Sequence, residues 1–138
     1  MCQVKIIAGF FAGAALISAT PPEESPERGV LCLGTFIYFA EKNGKICRAG
    51  QDNEFQERLA RLSSKFDAYI IRNTDGNPDT LSKFKASQNL DSEDRSYICE
   101  GDVAKSYENF KAIPAADLDE SVDKLLARDG RPSFGDCV

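Results

Sequence analysis

Sulfur is the chemistry that stands out in this chain. Its 138 residues hold five cysteines: Cys2, Cys32, Cys47, Cys99 and Cys137. No two of them form a Cys-x-x-Cys pair, which excludes a thioredoxin-type dithiol. Histidine is absent. That removes imidazole as base, metal ligand and pH switch, and with it Ser-His-Asp and Cys-His catalysis. Widely spaced cysteines without histidine make a poor zinc site as well, and we expect no metal and no cofactor. The chemistry left for the cysteines is disulfide formation, and that depends on where the chain works.

The N-terminus bears on this. Lys5 is followed by an apolar run from Ile6 to Ile17, then Ser18 and Ala19, then Pro21 and Pro22. Residues 1–19 read as a secretory signal peptide. The run is shorter than the roughly 20 residues that span a bilayer, so no stable membrane anchor is expected after cleavage. Lys5 is the one charged side chain in that stretch, so its loss takes the net charge from −5 to −6. Cys2 goes with it. An even set remains, Cys32, Cys47, Cys99 and Cys137, which reads as two disulfides in an exported protein. Sequence leaves all three pairings open. A straight helix from residue 32 to 43 would span about 17 Å, while bridged Cα atoms must lie within about 7 Å. Pairing to distant elements is therefore favoured over Cys32 with Cys47.

Other candidate sites are weaker. Asn73-Thr-Asp75-Gly-Asn77-Pro-Asp79 alternates oxygen ligands as a calcium loop does, but Leu81 and Ala86 stand where an EF-hand needs glycine and glutamate. A turn followed by a helix cap is the expected structure. The 22 acidic residues offer carboxylate pairs without a motif to single any out. No Gly-x-Ser-x-Gly and no phosphate-binding glycine loop occurs, so no catalytic residue is assigned and no enzyme activity is expected. The acidic balance also argues against nucleic-acid binding. Arg58, Arg61, Lys65 and Arg72 form a positive row that Glu54 and Glu57 are expected to balance at i,i+4. Phe36-Ile37-Tyr38-Phe39 is either core or an exposed apolar groove, and core is favoured in so small a domain.

Helices must position these groups. Residues 20–28 carry three prolines and no large apolar side chain, the composition of a disordered leader. The domain is expected over 29–138. Residues 30–43 are apolar nearly all round and read as the most buried helix, ended by Gly44. Residues 53–72 place Phe55, Leu59, Leu62, Phe66 and Tyr69 on one stripe, with Asn53 and Gln56 resembling a capping box. A short helix over 80–89 is capped by Asp79. A fourth covers 92–113 and is weakened by Gly101. A fifth covers 115–128, with acids in its first turn and Gly130 beyond its end. The tail is pinned by Cys137. The expected fold is all-α: a small four- to five-helix bundle held by two disulfides.

Cys32, Glu41-Lys42, Ile46-Cys47 and a following helix with Leu59, Leu62 and Tyr69 resemble the N-terminal part of the LprI-type family of periplasmic lysozyme-inhibitor domains. The resemblance covers about a third of the chain, and the gap before Ile46-Cys47 is longer than in that family. It implies an inhibitor of a cell-wall hydrolase such as lysozyme. The residues themselves point to an exported, periplasmic or secreted, non-enzymatic helical domain that binds another protein, its acidic surface suiting a basic partner. A carrier of a small apolar ligand is the alternative.

Overall fold

Helix α1 (Val30–Cys47) is the axis around which the other helices pack. It touches α2 (Asn53–Arg72), α4 (Arg95–Cys99) and α5 (Gly101–Ala112). The outer helices α3 (Pro78–Ser87) and α6 (Ala115–Leu126) lean on α2. This computed structural model describes residues 29–135. The expected signal peptide, the leader and Cys137 lie outside the described residues. Within them the fold is all-helical, with five helices of ten or more residues and the single turn α4. No described helix is long and apolar enough to cross a membrane.

Two glycines explain how α1 serves as an axis. A Cβ on Gly34 would sit 2.9 Å from Phe66 Cδ1, and one on Gly44 would sit 3.0 Å from Tyr107 Cε2. Each absent side chain admits an aromatic ring from a neighbouring helix. Phe66 comes from α2 and Tyr107 from α5, and both rings are fully buried. This corrects the expected helix end at Gly44. The helix runs on to Cys47 because residue 44 provides space for Tyr107 rather than a terminus. Buried Asn43 fits the same seam. Its amide donates to the Ile98 carbonyl at 2.7 Å, and its oxygen accepts from Arg48 Nε at 3.0 Å, so its polar atoms are matched.

Helix α2 has the bounds and the stripe its periodicity predicts. Leu59, Leu62, Phe66 and Tyr69 are buried, and Phe55 packs against them half-buried. Its start differs from expectation. Asp52 precedes the helix in a left-handed conformation without capping it by its side chain. Gln56 does not close a capping box; its amide donates to the Arg48 and Gln51 carbonyls at 2.8 and 2.7 Å and fastens the α1–α2 turn.

The basic row also behaves differently. Arg58 pairs with Asp119 at 3.6 Å, Lys65 with Asp123 at 2.5 Å and Arg72 with Asp129 at 2.8 Å. Instead of meeting acids on their own helix, these three meet the acidic side of α6 and the residues after it, while Arg61 makes no ion pair among the described residues. Each exposed pair contributes only about 0–1 kcal/mol, so the row serves mainly to set the orientation of α6. Burial of Leu118 and Val122 holds it in place.

Two further helix boundaries need correction. Helix α3 starts at Pro78 and is capped by Asn77, whose side chain accepts from the Asp79 N–H at 2.9 Å, rather than by Asp79. The expected helix over 92–113 is two helices. Glu100 is extended and Gly101 has φ +61°, a conformation that suits glycine, so the chain turns there. After α6 the chain folds back over the bundle. Tyr69 donates to the Gly130 carbonyl at 3.2 Å, and the Leu31 N–H donates to the Ser133 carbonyl at 3.1 Å.

Below neutrality, this fold is expected to weaken only in strong acid. Lys111 and Tyr107 hold Asp52 below the ordinary 3.8, and Arg72 and Asn73 do the same for Asp129. A depressed carboxylate makes the unfolded chain the stronger proton binder. Its stabilisation is therefore complete above the unfolded pKa and is lost as pH falls through the lower folded value. With no histidine to titrate, urea midpoints are expected to be flat between about pH 5 and 8 and to fall only below about pH 4. A drop between pH 7 and 5 would contradict this.

Candidate functional site

One disulfide joins described residues: Cys47 to Cys99, with Cα atoms 5.7 Å apart across 52 positions of sequence. This agrees with the preference for a distant partner. Cys32, near the start of α1, is disulfide-bonded too. The expected involvement of Cys137 lies outside the described residues.

The Cys47–Cys99 bridge ties the last turn of α1 to α4, and α4 forms a wall of a groove lined by three aromatic rings. The groove measures about 500 Å³ and opens to solvent along its length. Phe36 and Phe39 of α1, Tyr97 of α4 and Val103 of α5 supply its apolar lining. Phe39 and Tyr97 meet edge to face with centroids 6.0 Å apart. Glu100, Asp102, Ser96 and Ser106 form the polar part. Phe36 is 47% exposed and Tyr97 40%, unusual for rings of that size.

The aromatic run of α1 therefore divides. Ile37 and Tyr38 enter the core, as favoured from sequence, while Phe36 and Phe39 line the groove. Sequence reasoning missed Tyr97 and Glu100. Reading 92–113 as one helix placed both on a continuous surface. The usable signal was Gly101, which marks the break that turns α4 into a separate wall.

Neither serine hydroxyl in the groove is set up as a nucleophile. Ser96 donates to the capping carboxylate Asp94 at 2.7 Å, and Ser106 donates to the Asp102 carbonyl at 2.9 Å. Its own cap hydrogen bonds hold Asp94 below the usual carboxylate range.

The remaining polar clusters are internally matched. A second groove of about 600 Å³ lies between Phe55, Ile113 and Leu118, and most of its charges are engaged in Asp52–Lys111 and Arg58–Asp119 ion pairs. Tyr38 donates to Asp67 at 2.6 Å while Lys85 pairs with the same carboxylate at 2.9 Å. Burial first, and then Asp67, push the Tyr38 phenol far above its usual range. In the oxygen-rich turn, Asp75 accepts from the Asn77 N–H at 3.0 Å and from the Thr80 hydroxyl at 2.9 Å, so its carboxylate shapes the turn ahead of α3. No group of three or more potential metal ligands occurs among the described residues.

The fold and site together define an all-helical, disulfide-linked domain with an open aromatic groove. No family model, no curated protein and no solved structure matches the chain. The resemblance seen between Cys32 and Tyr69 therefore stands on those residues alone.

Proposed function

We propose that this chain is an exported domain that acts by binding a basic protein rather than by catalysis. The groove of Phe36, Phe39, Tyr97 and Val103, exposed and rimmed by Glu100 and Asp102, is the observation that carries this reading. Rings of this kind are enriched in the anchoring centres of protein interfaces. Its openness favours a protein surface over a small apolar molecule, which a carrier would need to enclose. Bridged cysteines support export. The overall acidity supports a basic partner, with fast and salt-sensitive association.

In its sharpest form the reading is inhibition of a cell-wall hydrolase, and basic lysozyme is the probe. Isothermal titration with the oxidised chain is expected to show binding that weakens at least about tenfold between 20 and 200 mM salt. Phe36→Ser should weaken it by a similar factor. No heat of binding at either salt concentration would reject lysozyme-type hydrolases as the partner.

A further inference from the structure

We propose that the groove seats a cationic side chain of the partner, an arginine in preference to a lysine; this rests on the protein-binding reading above. The first observation concerns the tyrosines, of which the chain has four. Three carry a cation from the chain itself over the ring. Arg48 lies 4.4 Å from the Tyr107 centroid, Arg72 5.4 Å from that of Tyr69, and Lys85 4.4 Å from that of Tyr38. Tyr97 has no such cation among the described residues, and it is the exposed one, in the groove.

The second observation is Glu100. Its exposed carboxylate lines the groove and makes no hydrogen bond or ion pair among the described residues. It follows Cys99 directly, so the Cys47–Cys99 bridge anchors it beside the groove. Asp102, further along the rim, meets only the exposed Lys105 at 3.3 Å, a contact that a better-placed cation can replace.

An aromatic pair with an unpaired carboxylate is complementary to a guanidinium. The planar cation stacks on an aromatic face and offers a fork of N–H donors to a carboxylate, which a lysine ammonium cannot do. Its aliphatic stem would cover Phe39 and Val103 and keep the charged head at the rim. A neutral apolar side chain could fill the same groove but would leave Glu100 without a partner.

The test is a two-dimensional NMR titration of the full oxidised chain. The probe is an acetylated, amidated Leu-Arg-Leu-Arg-Leu peptide, and its citrulline twin has the same shape without the charge. Saturating shifts are expected at the amides of Phe39, Tyr97 and Gly101. Affinity should be about tenfold weaker for the citrulline twin, and Tyr97→Ser and Glu100→Gln should each weaken the arginine peptide several-fold. Both replaced side chains are exposed, so the fold should survive. Equal affinity for the two peptides would overturn the cationic seat, and so would shifts spread over the acidic surface and unmoved by either variant. Lysozyme binding in the titration described above would stand through either result. Failure of lysozyme alongside groove-specific arginine binding would overturn that partner and leave the seat.

Discussion

Replacing Cys99 by serine is expected to remove about 4 kcal/mol of stability, the chain-entropy value for a bridge that closes a 52-residue separation. That is a large share of the roughly 5–15 kcal/mol that holds a domain folded. The loss should be uneven. Helix α4 has five residues, too few to persist alone. Besides the bridge, it is held by the Asn43 amide on the Ile98 carbonyl, by Arg95 on the Ile46 carbonyl at 3.0 Å and by the buried Ile98 side chain. Without the bridge, amide exchange should accelerate first in residues 95–101, and the wall carrying Tyr97 should loosen before the core does. Urea unfolding with exchange mass spectrometry checks both parts. An unchanged midpoint would show that the α1–α4 contacts suffice. A peptide map of the unreduced chain from its own host should link Cys47 to Cys99. A Cys32–Cys47 peptide would contradict the fold.

Gly34→Leu should cost about 3 kcal/mol, at the upper end for a side chain forced into a full core. The Cβ alone would stand 2.9 Å from Phe66 Cδ1. Phe66 cannot swing away, because it is fully buried and meets Tyr38 edge to face at 6.4 Å. Leucine is the informative choice. Alanine would recover up to about 1 kcal/mol of helix propensity and blur the result. Phe66→Ala alone should cost about 3–5 kcal/mol through the cavity it leaves. In the double variant the leucine enters that cavity, so the combined loss should fall short of the sum by about 1–3 kcal/mol. Circular-dichroism melts of the four proteins give the cycle. Strict additivity would mean that α1 and α2 do not meet at this point. Gly44→Leu against Tyr107 offers a parallel test at the α1–α5 contact, where the Cβ would approach to 3.0 Å.

Much of the architecture could be read before any coordinates. The heptad-like steps from Phe55 to Tyr69 define α2 because a helix is the one regular structure that brings those five residues onto one face. Acids at the start of α6 mark its beginning through their interaction with the helix dipole. Widely spaced cysteines, with no histidine, leave bridges as the main use for sulfur, and Cys47–Cys99 is one. These are local or compositional facts, and a linear text carries them in full.

What the chain could not disclose depends on which helices become neighbours. Glycine at 44 has the same local preferences whether it ends a helix or makes room for a ring, and Tyr107, 63 positions away in the sequence, decides between them. Arg58 has Glu54 within reach on its own helix, yet it turns to Asp119, as Lys65 turns to Asp123, once Leu118 and Val122 dock α6 alongside. Phe36 and Ile37 are adjacent and equally apolar. Their opposite fates follow from α1 having helices on some sides and an open groove on another. Composition and periodicity determined the all-helical class, the stripe of α2, the use of cysteine in a bridge and the acidity. Tertiary packing alone decided the groove, because a surface formed by residues 36, 39, 97 and 103 exists only after their helices have met.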